Sequence, residues 1–241
     1  MKFVLMFLIG TIFLFDVSTG YTADVLDKKI VNDKKGFYVK GGIGITRLED
    51  YNLNFENAVG KFNFAKEEYN KGFTLNGAIG KELKYGFAVE LELNYQKSDA
   101  DQYIIKEFEY KGLKQKVGDP KFDGDSSIQT FMVNGLYNLE NSTQFTPYVG
   151  AGVGIAWIDI QTNGVATFGK LSDTNLAYQA LAGIETELDE NFSILTGYRY
   201  LYAGKVSLND GVFLIGSGFA PGQITREVQS HSVEVALKYS F

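Results

Sequence analysis

The chain has 241 residues, 27 of them glycine and 3 proline, with 15% aromatic side chains and a net charge of −6. That length suits one large β domain or two ordinary ones, and abundant glycine and aromatics with scarce proline suit many strands. Cysteine is absent and there is one histidine, which excludes disulfides and thiolate or multi-histidine metal sites; with no basic block, nothing suggests a nucleic-acid partner.

Residues 1–20 begin with Lys2, continue through an apolar stretch from Phe3 to Phe15 and end on the small residues Ser18, Thr19 and Gly20. The apolar stretch falls short of the roughly 20 residues that a spanning helix needs. The pattern reads as a signal peptide cut after Gly20, with an uncleaved anchor as the alternative. No later run of about 18 apolar residues follows, so no transmembrane helix is expected. Residues 21–35 are charged and aperiodic, which reads as a flexible periplasmic lead-in.

From residue 36 onward, alternation with period two recurs. Phe37, Val39, Ile43 and Ile45 oppose Tyr38, Lys40, Gly42 and Gly44, and Phe73, Leu75 and Ile79 oppose Thr74, Asn76 and Gly80. In the cleanest case Phe87, Val89, Leu91, Leu93 and Tyr95 oppose Ala88, Glu90, Glu92, Asn94 and Gln96. Phe131, Val133, Tyr137 and Leu139 share one face of a less regular strand, with Met132, Asn134 and Leu136 on the other. Val149, Ala151, Val153, Ile155 and Trp157 alternate with Tyr148, Gly150, Gly152, Gly154 and Ala156. Three more strands follow around Tyr178–Ile184, Phe192–Tyr200 and Val233–Phe241, which makes eight.

The connections alternate in length. Strands two and three, four and five, and six and seven are joined by short turns. The other links run over 47–72, 98–126, 160–175 and 203–229, longer than a compact soluble domain tolerates. Short turns at one end and long loops at the other are the plan of an eight-stranded antiparallel transmembrane barrel over 36–241, with the turns periplasmic and the loops extracellular. Its apolar face then meets lipid. Phe37, Phe73, Phe87, Phe192, Tyr239 and Phe241 read as the periplasmic aromatic girdle, and Tyr95, Trp157, Tyr178, Tyr198 and Tyr200 as the outer one. The soluble alternative is a lipocalin-like carrier with the faces reversed.

At "TPYVGAGVGIAW", "AYQALAGIETELDENFSILTGYRY" and the terminal "ALKYSF" the sequence resembles the opacity-protein and surface-antigen barrels of Gram-negative bacteria, especially the major surface antigens of obligate intracellular alphaproteobacteria. The resemblance covers 146–202 and 230–241 most specifically; Tyr178, Gln179, Gly183 and Gly197 to Tyr200 match that family's sixth and seventh strands. It implies an outer-membrane surface antigen with a structural or host-contact role, some members being adhesins or porins, and no shared catalytic site or cofactor. It also implies that Tyr239 and Phe241 belong to the C-terminal signal read by the outer-membrane assembly machinery. Expected partners are outer-membrane lipid, that machinery and host-cell surface molecules; the rival functions are a small-solute porin and a barrel enzyme.

The expected inward face carries Lys40, Arg199 and Lys238 against Glu90, Glu92, Glu185 and Glu234. Unpaired charge there would be costly, so these groups are expected to pair as a polar plug, Arg199 with Glu234 in particular. An ion-selective pathway is the alternative, kept open by inward glycines. His231 and Ser232 invite a hydrolase reading, but alternation puts neighbours on opposite faces, which leaves His231 an interfacial side chain. Asp119, Asp123 and Asp125 miss the EF-hand spacing and read as a solvated acidic loop. Gly150, Gly152 and Gly154 open no helix, so they form no phosphate loop. Val212, Phe213, Leu214, Ile215 and Phe219 crowd the last long loop, and exposed apolar clusters of this kind pack over a barrel mouth or contact a partner.

Overall fold

The structure, a computed structural model, describes residues 36–49, 51–57, 60–69, 71–104, 108–110, 113–115, 123–163, 171–215 and 218–241. Residues 1–35, with the signal peptide and lead-in, lie outside the described residues. The strands in chain order are β1 (Phe37–Leu48), β2 (Tyr51–Asn57), β3 (Gly60–Tyr69), β4 (Lys71–Glu82), β5 (Phe87–Ile104), β6 (Phe108–Tyr110), β7 (Leu113–Gln115), β8 (Asp123–Asn138), β9 (Phe145–Asn163), β10 (Leu171–Glu187), β11 (Phe192–Ile215) and β12 (Gly218–Ser240). Eight of them, β1, β4, β5, β8, β9, β10, β11 and β12, pair antiparallel with their neighbours in that order. The first and last close the ring, from Tyr38 opposite Ser240 to Leu48 opposite Ser230.

Side-chain alternation turns this barrel inside out. On β5, Phe87 and Leu93 are 52% and 51% exposed on the outer wall, whereas Glu90 and Glu92 between them are 1% exposed in the lumen. An outer surface of this kind suits lipid and not water. On β1 the apolar outer row runs from Phe37 to Ile45, within the roughly 9–11 residues that a tilted spanning strand takes. Less regular β8 obeys the same parity, with Met132, Asn134 and Leu136 all buried inside.

Above that band the pattern inverts. Outward positions become polar: Arg47 and Glu49 follow Ile45, Lys97 and Asp99 follow Tyr95, and Asp159 and Gln161 follow Trp157. Inward positions mix the polar Gln96, Ser98 and Ser126 with apolar residues, and Leu48, Ile128, Ala156, Ile158, Ile160, Ala177, Leu201, Ala203, Val206 and Val228 form one buried cluster that reaches down to Met132. The wall has left lipid and continues in water, packed in the ordinary soluble sense.

The four long links expected between the barrel strands are largely strand where they are described. Backbone pairing carries β8 and β9 up to Asp123 opposite Asn163, and β11 and β12 up to Ile215 opposite Gly218. The segment after β1 forms the β2–β3 hairpin, which pairs with β12 on one side and β5 on the other. A search for apolar-out alternation ends where the solvent changes, although the strands do not.

One girdle residue is also corrected. β4 descends from the hairpin rim, so Phe73 near its start lies at that rim, opposite Ile45 and 6.0 Å from the ring of Tyr95. The short-turn rim keeps Phe87 with Tyr137 at 5.0 Å and Phe192 with Tyr239 at 4.9 Å. Tyr178 and Tyr202 stack at the hairpin rim at 4.9 Å.

The native chain has no cysteine, so single labels can map the boundary. In the lipid-reconstituted barrel, bimane at Ile155→Cys is expected to be quenched from the lipid chains, and at Gln161→Cys by aqueous iodide. Iodide quenching at both positions would remove the boundary.

Candidate functional site

β11 sends Arg199 into the lumen, where the side chain is 3% exposed. Its Nε and Nη2 donate to the two carboxylate oxygens of Glu234 on β12 at 2.8 and 3.0 Å. Across the lumen, Nη1 and Nη2 donate to the two oxygens of Glu92 on β5 at 2.5 and 3.0 Å. A planar guanidinium with five donors can hold two carboxylates bidentately, which an ammonium cannot.

The network spreads from this hub. Gln179 on β10 accepts from Arg199 Nη1 and donates to Glu92 at 3.1 Å and to Asn134 at 2.7 Å. Asn134 donates to Glu90 at 3.4 Å, and Glu90 also accepts from Lys40 at 2.8 Å and from the Tyr38 hydroxyl at 2.9 Å. Asn76 donates to Glu234 at 2.8 Å. Nearer the short turns, Lys238 bridges Glu82 at 2.6 Å and Glu185 at 3.0 Å, over the ring of Tyr38 at 4.6 Å. All seven inward charges named from the sequence therefore lie in this lumen: Lys40, Glu90, Glu92, Arg199 and Glu234 in one hydrogen-bonded network, and Lys238 with Glu185 in a second cluster.

Glu82, Tyr38, Asn76 and Asn134 complete the two groups and were missing from the charge set. Glu82 was legible: it continues the inward parity of Thr74, Asn76 and Gly80 by one more step. Asn76 and Asn134 stood on the inward face, but a neutral amide carries no charge that asks for a partner.

Packing fills the remaining space. Tyr148 lies across Gly183 and Gly197, where a Cβ on either glycine would collide with its ring or hydroxyl. A cavity of ≈ 20 Å³ lies against Lys40, Asn76, Tyr148, Arg199 and Glu234, room for about one water molecule. Higher up, a neutral layer joins Gln96 to Ser230 at 2.8 Å and to Thr46 at 3.3 Å, with Ser232 donating to Thr46 at 3.0 Å. The apolar cluster begins alongside it, with Ile128 opposite Gln96 and with Leu48 and Leu201 opposite Ser230.

Other candidates fall elsewhere. His231 faces outward, bonded to the Tyr198 hydroxyl and to Glu49 at 2.6 Å, whereas Ser232 faces inward; the two make no nucleophile–base pair. Asp119 and the side chain of Asp123 lie outside the described residues, while Asp125 sits on the outer face of β8, 3.9 Å from Lys97. Gly150, Gly152 and Gly154 lie within β9. The backbone around Val212, Phe213, Leu214, Ile215 and Phe219 is strand, not loop; their side chains lie outside those described. At the terminus, the Phe241 N–H donates to the Phe37 carbonyl at 2.9 Å, and its ring is 5.1 Å from that of Tyr239.

A family model described as an outer membrane protein beta-barrel domain matches residues 17–241. Outer membrane protein PagN of Salmonella typhimurium is 30% identical over 191 residues, 73% of this chain and 78% of that protein. A protein named as an adhesin in Rickettsia bellii is 22% identical over 185 residues, 72% and 77% of the two chains. Major surface antigen 4 of Anaplasma marginale is 28% identical over 156 residues, 57% of this chain and 52% of that protein. Among solved structures, the outer membrane protein OprG of Pseudomonas aeruginosa shares the fold with a TM-score of 0.53 at 17% identity, over 86% of this chain and 97% of that one.

The hub predicts a non-additive mutant cycle. Breaking a buried pair on one side typically costs about 3–5 kcal/mol, so Arg199→Ala, which strands two carboxylates, is expected at or above the upper end. Adding Glu234→Ala to Arg199→Ala should cost less than the two single changes together, read by urea unfolding in lipid; additive values would dissolve the coupling.

Proposed function

The chain belongs to the family of outer membrane protein β-barrels, and from that premise we propose that it is a surface antigen whose crown of strands makes host contact. The barrel sits in the bacterial outer membrane among lipid, with the hairpin rim at the cell surface. One observation carries the proposal: a lumen filled by paired charges beneath strands that continue well past the apolar band. Material committed to the crown serves no purpose in holding the barrel in lipid. A projecting, ordered wall in water is instead a surface for meeting other molecules.

The lumen favours this reading over the porin. A conducting path would have to pass Arg199, which bridges opposite walls between Glu92 and Glu234, and barrels of eight strands are filled by side chains. We assign the charge network the role of a plug that fixes barrel geometry. The relatives named above are an outer membrane protein, a protein named as an adhesin and a major surface antigen.

Phe241 and Tyr239 we assign to the assembly signal. The terminal ring is 71% exposed beside Tyr239 at the short-turn rim, where an aromatic side chain suits the membrane interface and stays accessible to recognition before insertion.

Two measurements follow. Cells of a laboratory Gram-negative strain displaying the chain should bind cultured mammalian cells above a vector control, while the purified barrel in planar bilayers should show no steady conductance. The opposite pair of results would make it a porin. Deleting Phe241 should lower the heat-modifiable, outer-membrane fraction while export continues; an undiminished fraction would remove the assembly role.

A further inference from the structure

The outer wall is not uniform where it meets lipid. β1 and β4 lie side by side, and their outward residues form rows: Arg47 with Lys71, Ile45 with Phe73, Ile43 with Leu75 and Gly41 with Gly77. The upper row is basic and stands one outward step above the last apolar one, at the height of the outer-leaflet headgroups. The lower row carries no side chains at all, although it lies on the exposed face that lipid covers.

Both ends of this series point to something outside the protein. Basic side chains directly opposite one another across a ladder repel, and Arg47 has His231 opposite it on its other side as well. Of the acids nearby, Glu49 and Asp99 stand one outward step further from lipid, and Glu49 meets His231 at 2.6 Å. An anion beside Arg47 and Lys71 would relieve their repulsion.

Glycine weakens a strand interior and often marks close approach by another molecule. A Cβ on Gly41 would meet nothing within 4 Å, and one on Gly77 only the Lys40 carbonyl at 3.9 Å. No side chain of the barrel therefore requires this gap, whereas inward Gly80 makes room for the Tyr38 ring. The gap is a notch in the lipid-facing wall, flanked by Leu237 opposite Gly41 and Leu93 opposite Gly77.

The spacing suits one molecule. From Gly41 up to Arg47 the strand covers about 20 Å, and a tilt of about 35–45° leaves about 15 Å of depth. That is close to half the hydrocarbon thickness, so a lipid with its head on the basic row has its chain end beside the notch. A second open glycine, Gly135, lies opposite Ala151. Above it the first polar outward residues are Gln129 on β8 and Asp159 on β9, which offer a phosphate no cation.

We propose that the outer wall of β1 and β4 is a binding site for a phosphate-bearing lipid of the outer leaflet. Its phosphate lies on Arg47 and Lys71, and an acyl chain is laid into the notch at Gly41 and Gly77. The guanidinium fork and the ammonium both donate to phosphate oxygens, so head and chain are held by one strand pair. The inference goes beyond the host-contact reading and does not depend on it.

The test compares two lipids at two places on the wall. A bimane label at Leu93→Cys flanks the notch, and the chain's one tryptophan, Trp157, reports from β9. Phosphatidylglycerol and phosphatidylcholine, each with a nitroxide on the acyl chain, are added at equal low fractions to the lipid-reconstituted barrel. Quenching at Leu93→Cys should favour phosphatidylglycerol about fivefold in relative association, the worth of one basic residue at an anionic surface, with a ratio near one at Trp157. Equal ratios at the two positions would overturn the proposal. Arg47→Gln with Lys71→Gln should bring the Leu93→Cys ratio down to that at Trp157; a ratio that persists would overturn it. Gly41→Val with Gly77→Val fills the notch with residues that suit strands and should lower the ratio, whereas an unchanged ratio would leave a charge effect without a chain site and overturn the proposal. Inorganic phosphate should lower the ratio no more than chloride at equal ionic strength; selective loss in phosphate would make the basic row a site for the free ion and overturn the lipid. Variants are compared as heat-modifiable, folded barrels, and the wild-type comparison decides without them.

Discussion

Lipid offers no hydrogen bonds, so within the apolar band each backbone N–H and C=O must find its partner inside the protein. Closure of β1 on β12 answers that demand, and much of the molecule follows from it. A closed ring of eight strands has an inside too narrow for bulk water and an outside that must be apolar. Polar residues are therefore driven inward, where they must satisfy one another. Above the band the demand lapses, because water can serve any free group. Among the described residues, the β10–β11 ladder there ends at Tyr178 opposite Tyr202, and β2 pairs with β12 over Gln223 to Thr225.

The charge network follows from the same confinement. Burying ions is expensive, and a buried pair is weak evidence for net stability. What Arg199 supplies is geometric: it meets Glu234 on the adjacent strand and Glu92 across the lumen at once. Slipping one strand by a single residue would send its charge to the lipid face. The correct register is thus the one in which no ion meets hydrocarbon. Lys238 makes the same demand near the short turns by holding Glu82 and Glu185 together.

How much of this was legible depends on where period two carries a constant meaning. Within the band it did: β5 could be read residue by residue, and Arg199 and Glu234 could be set at similar heights by counting, although the register offsets them by two residues. Phe73 was misplaced because parity gives a face but no direction, and β4 enters from the crown. The crown itself was hidden for a physical reason. Ile158 and Ile160 alternate with Asp159 and Gln161 as regularly as any band strand, but with the faces exchanged. A reading tied to apolar-out alternation therefore ends at Trp157 and takes the rest for loop. The bulge at Ala203 and Gly204 was less accessible still, since it depends on a glycine at positive φ, which leaves no periodic trace.

The inversion also divides the molecule energetically. Inside the band, an outward change from apolar to charged is opposed by the lipid, by about 2–4 kcal/mol for a basic residue near the midplane. In the crown the outer face is already polar, and order rests on the inward cluster around Leu48, Ile158, Leu201 and Val228. Outward crown positions can therefore change freely while the cluster keeps the strands upright. Variation in crown sequence and constancy of crown function are then compatible, with the inverted alternation as their common cause.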